Sequence, residues 1–261
     1  MKSRILMCIT ATALLATVAL PVQLAAQHTR YKLVVVDTLG GPQSYGDAGH
    51  GAANINNRGI AAGVADTAAP YPLYPNFNPL LTGGSIQSYP YVFHAFTTNG
   101  SKLIDLGSLP GANSSTPIHI ADNGLVVGTS ENGSIDPITG WPQLNAVLWT
   151  DGQIINLGTL GGYESQTIWV NSHGQVLGNS TNNVPDAYSF IYGGTPGGTQ
   201  NRAFVWDLKK GMQDLGTLGG PDAAGFVMNE RGQIAGISYI NDIANASGIP
   251  PSILFSRKTE K

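Results

Sequence analysis

The chain has 261 residues, 34 of them glycine and 16 proline, with 11% charged residues and a formal net charge of −3. So few charges argue against a coiled coil or a charged disordered tail, and the absence of a basic stripe argues against nucleic acid as the main partner. A single cysteine makes neither a disulfide framework nor a thiolate zinc site, and glycine without a Gly-X-Y period indicates a loop-rich β protein.

Lys2 and Arg4 precede an almost wholly apolar run from Ile5 to Leu20, and Leu24-Ala25-Ala26 supplies small residues before Gln27. This is the order of a secretory signal peptide, so residues 1–26 are expected to be removed, with cleavage after Ala26. The alternative is an N-terminal membrane anchor, but about 16 apolar residues fall short of the roughly 20 that a span requires. Cys8 lies inside the apolar run and not at the cleavage point. The exported chain, residues 27–261, would then hold no cysteine and could fold in an oxidising compartment without wrong disulfides.

Beyond the leader the chain is a repeat. Asp105-Leu106-Gly107-Ser108-Leu109-Pro110-Gly111 returns as Asn156-Leu157-Gly158-Thr159-Leu160-Gly161-Gly162 and again as Asp214-Leu215-Gly216-Thr217-Leu218-Gly219-Gly220. A shorter version, Asp37-Thr38-Leu39-Gly40-Gly41, comes first. Downstream of each copy lies an apolar–turn–apolar segment with glycine at the same turn position: Gly59, Gly124, Gly174 and Gly232. Such a glycine supplies the positive φ that a bulged hairpin needs. A strand ending in glycine follows, as in Val126-Val127-Gly128. Upstream sits a short aromatic strand: His94-Ala95-Phe96, Ala146-Val147-Leu148-Trp149 or Ala203-Phe204-Val205-Trp206. Asp151-Gly152 after the second of these is a tight-hairpin signal.

Each unit therefore reads as four short strands with no sustained helical period. The expected fold class is all-β, a β-propeller-like array of four four-stranded units, with an open or truncated stack of sheets as the alternative. The units run roughly over 31–67, 92–130, 144–180 and 201–240, with a closing strand at 251–256, in a single domain. If Ser252-Ile253-Leu254-Phe255 completes the first unit, which lacks its aromatic strand, the ring closes and removes an open edge.

On these residues the chain resembles the HAF-type extracellular repeat family of bacterial secreted proteins. The resemblance rests on His94-Ala95-Phe96, the Asp-Leu-Gly-Thr-Leu-Gly-Gly element and the Asn-x-x-Gly-Gln element, and covers residues 31–240. Only one copy spells His-Ala-Phe in full; the others read Asn145-Ala146-Val147 and Arg202-Ala203-Phe204. The resemblance implies secretion and a repeat scaffold. It carries over no catalytic residues.

Variable inserts follow the Gly-ended strand in every unit, over roughly residues 67–91, 131–143, 181–200 and 240–250, and would emerge on one face. Their aromatics, Tyr71, Tyr74, Phe77, Tyr89, Trp141, Tyr188 and Tyr192, suit a glycan or protein contact at low entropic cost. The competing expectation is that the rings pack the inserts onto the sheets. Trp149 and Trp206 occupy equivalent core positions. The five histidines show no metal-ligand spacing. Glu131–Asp136 offers oxygens to calcium but lacks the spacing of a calcium loop. Asp105, Asn156 and Asp214 share one repeat position, which suits a turn device better than paired-carboxylate catalysis. No metal or other cofactor is expected.

These features point to a secreted or extracellular, non-enzymatic scaffold, with the periplasm or cell surface as possible locations. It would present loops to an unknown protein or glycan, with neither nucleic acid nor, after leader cleavage, membrane as partner. The alternatives are an extracellular hydrolase or lyase acting on polysaccharide, and a structural cell-surface module.

Overall fold

The computed structural model describes residues 33–45, 55–82, 90–193 and 195–258. The leader expected at 1–26 lies outside these. Among the described residues no helix is long and apolar enough to cross a membrane.

The protein is nearly all β. Sheet 1 holds β1 (Gly40–Tyr45), β2 (Ala62–Pro70), β3 (Tyr91–Asn99) and β4 (Lys102–Gly107). Sheet 2 holds β5 (Ser115–Ile120), β6 (Val126–Ile135), β7 (Pro142–Thr150) and β8 (Gln153–Gly158). Sheet 3 holds β9 (Ser165–Val170), β10 (Val176–Pro185), β11 (Thr199–Asp207) and β12 (Gly211–Asp214). Sheet 4 has three strands, β13 (Ala223–Met228), β14 (Gln233–Tyr239) and β15 (Ser252–Lys258). All neighbours pair antiparallel, and a 3₁₀ turn at Pro79–Thr82 is the helical element among the described residues.

Turn chemistry sets these strands. In three of the four hairpins that open a sheet, one asparagine accepts hydrogen bonds from the N–H groups two and four residues on. Asn171 Oδ1 takes His173 N at 3.1 Å and Gln175 N at 3.0 Å, and Asn56 and Asn229 do the same. Side-chain oxygens that close a turn in this way replace a backbone acceptor. The fourth-position glycines adopt φ between 70° and 96°, where a Cβ would be strained. At the next hairpin Asp151 and Gly152 both take positive φ, 50° and 72°, as the pair suggested.

The sheet frame is shifted from the sequence frame. Each sheet takes its first two strands from before an insert; sheets 1 to 3 take their last two, the aromatic and Leu-Gly ones, from after it, and sheet 4 takes the aromatic strand alone. The Leu-Gly-Gly element is therefore a link between sheets. In the same frame β15 is the third strand of sheet 4, paired with β14 and in register from Gln233↔Lys258 to Tyr239↔Ser252. It does not complete sheet 1, so the ring closure considered from the sequence is not formed and the array is an open stack. The aromatic strand returns antiparallel beside the Gly-ended strand that precedes it, a local hairpin that costs less loop entropy than pairing across the whole chain.

The core lies between consecutive sheets. Val126, Val147 and Trp149 of sheet 2 pack with Ala62 and Ala95 of sheet 1. Val127, Ala146 and Leu148 pack with Val170, Val176, Phe204 and Trp206 of sheet 3, and Leu177 and Val205 with Met228 and Ile234 of sheet 4. Both tryptophans are core, as expected. Phe204 and Leu177 are fully buried, each worth about 1.5–3 kcal/mol of burial.

Polar rungs repeat with the sheets. Leu109, Leu160 and Leu218 each donate a backbone N–H to the hydroxyl of Ser130, Ser180 or Ser238, at 2.9–3.0 Å. The glycine expected to end the second strand lies inside it, third in β6, where backbones meet: a Cβ on Gly128 would overlap the Thr116 carbonyl and stand 2.7 Å from the Trp149 ring.

Candidate functional site

The array has two ends. One carries the inserts; the other carries the Asn turns and the tight hairpins that join third to fourth strands.

At the insert end the side chains are folded down. The first insert reaches over sheet 2: Leu81 is buried with Val64, Phe93 and Leu144, and Asn76 donates to the Gly140 carbonyl at 3.0 Å. Tyr71 is buried and its hydroxyl donates to Glu131 Oε1 at 2.5 Å. Tyr192 is equally buried. These two residues were candidates for ligand contact and the structure removes both from the surface, because their hydroxyls sit in a buried polar layer between sheets. Tyr74 is half-exposed, while Phe77, Trp141 and Tyr188 are partly covered. Tyr89 lies outside the described residues.

The buried layer is built on carboxyls. Asp136 and Asp186 each follow the Gly-ended strand; Glu164 and Asp222 each open the following sheet. All four are buried. The Glu164 carboxyl accepts Leu144 N at 3.0 Å and Asn78 Nδ2 at 3.1 Å and has Asp136 as its acidic neighbour. Asp222 accepts Asn201 N at 2.7 Å and Phe190 N at 2.5 Å and has Asp186 as its acidic neighbour. Burial, with the neighbouring acid adding to it, pushes Glu164 up to about 9 and Asp222 up to about 7. Glu164 therefore keeps its proton at neutral pH, and Asp222 is about half protonated there. Burial likewise leaves Glu131 raised on balance, despite the Tyr71 hydroxyl and the N–H groups of Asn113 and Ser114, all of which lower it. The oxygens of Glu131–Asp136 considered for calcium are thus partly spent on the protein's own donors.

Asp136 and Asp186 come from inserts and Glu164 and Asp222 from the starts of sheets, and all four are buried, unlike the acids of an open active site. They tie each insert to the next sheet. The shared position Asp105, Asn156 and Asp214 is a turn device, each accepting the N–H two residues on at 2.7–2.9 Å. His94 Nδ1 pairs with Asp105 at 3.1 Å, and Asn145 with Asn156 takes the same place in sheet 2. His119 stacks on Trp169 with centroids 4.0 Å apart, and burial pulls it down to about 4, so it is neutral. Among the described residues no group of three or more His, Cys, Asp or Glu could hold a metal ion.

The large open groove is at the other end. First strands β5, β9 and β13 pack on one another, whereas fourth strands meet over a shorter stretch, so the gap between sheets 2 and 3 widens outward. It forms a groove of about 950 Å³. Leu125, Leu148, Ile155 and Trp206 make the floor. Around it stand Lys209, Lys210 and Arg231 together with Asp151, Asp207, Glu230 and His173. Glu230 accepts Ser172 N at 2.9 Å and stands 3.7 Å from His173 Nδ1. Leu208, at the tip of the β11–β12 turn, is 82% exposed. The sequence reading missed this region. Its signal was Leu208-Lys209-Lys210, an apolar residue and two cations in a chain short of charge. Against known proteins, the chain matches no family model, no curated protein and no solved structure.

Proposed function

We propose that the protein is a secreted, non-enzymatic scaffold that binds a polypeptide segment in the groove between sheets 2 and 3. The observation that carries this is the groove itself: an apolar floor, with Lys209 and Lys210 beside the exposed Leu208 at one turn and charges of both signs around the rest. A polypeptide carrying apolar side chains flanked by acidic ones meets that pattern. A glycan fits less well, since sugar sites rely on exposed ring faces and Trp206 is only 8% exposed. The sealed carboxyl pairs favour a scaffold over a hydrolase or lyase, whose acids must reach substrate. The leader and the resemblance to HAF-type extracellular repeats support secretion.

The test is to probe the full chain, Leu208→Asp and Lys209→Glu/Lys210→Glu on a random peptide array and a glycan array. Binding to acidic–apolar peptides that both variants lose supports the reading. Binding to glycans alone, or peptide binding that the variants keep, overturns it.

A further inference from the structure

The two ends of the stack are complementary. Sheets 1, 2 and 3 each end in a fourth strand that starts seven residues before the leucine of the Leu-Gly-Gly link: Lys102 before Leu109, Gln153 before Leu160, Gly211 before Leu218. Sheet 4 has no such strand among the described residues, and β15 presents a free edge. Beside it lies a cavity of about 150 Å³ bordered by Leu215, Leu218, Phe255 and Arg257. The outer face of sheet 4 is uncovered too: Phe226, Val227 and Leu254 are 46–73% exposed. Leu254 occupies the repeat position of Ala95, Ala146 and Ala203, which are fully buried in the other sheets.

The missing strand exists elsewhere in the sequence. Seven residues before Leu39 is Lys32, and Lys32-Leu33-Val34 matches Lys102-Leu103-Ile104 of β4. Residues 33–38 form no strand, with Leu33 93% and Val35 82% exposed. A strand sequence without a sheet and a sheet without its strand occur in one chain.

We propose that residues 32–37 of a second copy add to β15 as the fourth strand of sheet 4, joining copies head to tail. The register follows from the other sheets. Phe96↔Asp105, Val147↔Asn156 and Phe204↔Asp214 place Phe255 opposite Val35. The next pair is then Ser256 opposite Val34. Leu33 takes the place that Ile154 and Met212 take beside Trp149 and Trp206, and it lies toward the cavity. The second copy's Leu-Gly-Gly link and β1 would follow as β8 leads into β9, laying its sheet 1 over the exposed face of sheet 4. The contact continues an interface already made three times within the chain, supplies backbone partners to a free edge and is heterologous, so it builds chains or rings of copies.

The test uses the full chain, with Cys8→Ser in every variant. Val34→Cys and Ser256→Cys proteins are mixed under oxidation, and masses are followed by sedimentation over a concentration series. The expected result is a disulfide-linked pair of the two variants, and a mass that grows with concentration. Val34→Pro should return the mass to that of a monomer with an unchanged circular dichroism spectrum. A monomer at all concentrations with no linked pair overturns the proposal. So does a Val34→Cys/Ser256→Cys protein that closes its bond within one chain, since the chain's own strand then fills the edge. Oligomers that survive Val34→Pro place the assembly on another surface and overturn it as well.

Discussion

Asn78 Nδ2 stands 3.1 Å from Glu164 Oε1, so a side chain of the first insert closes on the start of the third sheet, 86 positions away. The same amide reaches the Pro142 carbonyl at 2.9 Å. The insert is a strap across sheet 2, and its hold is polar as well as apolar.

Asn78→Ala should therefore destabilise the fold more than an average loop substitution. It leaves two buried acceptors without this donor, at a cost of about 1–3 kcal/mol. Urea denaturation reads this as a lowered midpoint with little change in slope. A midpoint equal to that of the parent would show that the strap carries no stability.

Stability should depend on pH in two opposed arms. Glu164 and Asp222 are raised when folded, to about 9 and about 7. The folded state then binds more protons than the unfolded one between their ordinary values and these. Their contribution is full below the ordinary carboxylate range and is lost as pH rises through 7 and 9. His119 is lowered to about 4, so its contribution is present above its ordinary value of 6.5 and is lost as pH falls toward 4. Thermal melts should show Glu164→Gln flattening the alkaline arm and His119→Gln the acid arm. A Glu164→Gln protein with the parent's alkaline slope would count against a proton held on Glu164.

The serine rungs should behave as near-equal, separable increments. Ser130→Ala and Ser180→Ala each orphan one leucine N–H and should cost about 1–2 kcal/mol. Because the two sites sit in different sheets, the double variant should lose nearly the sum. A double variant no worse than either single would reveal coupling through the stack.

Gly128→Ala should be more damaging than any rung. The added methyl meets the Thr116 carbonyl and the Trp149 ring at a fully buried strand crossing, and overpacking of this kind costs about 1–3 kcal/mol or more. Near-UV circular dichroism should lose part of its tryptophan signal as the ring is displaced. An unperturbed signal would mean that the neighbouring strands yield without cost.

Much of the fold was legible because turn chemistry is local. Asn171, Gly174 and Asp151-Gly152 mark their turns by residue type alone, and the tryptophans recur at one position. The grouping of strands was not legible, because a repeat can be cut at any phase and the sequence does not say which neighbours pair across an insert of variable length. That is why β15 was first placed beside sheet 1. The insert aromatics misled for a related reason. Tyr71 and Tyr74 look alike in sequence, and only the Glu131 carboxyl, 60 positions away, draws one ring inward. The carboxyl layer itself left a readable trace, Gly162-Tyr163-Glu164 and Gly220-Pro221-Asp222, an acid two residues beyond each link.

The straps also mean that the sheets carry addresses. Tyr71 answers Glu131, Asn78 and Asp136 answer Glu164, and Asp186 answers Asp222. A protein reassembled with its second and third units exchanged would keep every strand and turn, yet strand its carboxyls without their mates. Order along the chain is thus written in side-chain chemistry as well as in connectivity, and units of this protein are not interchangeable parts.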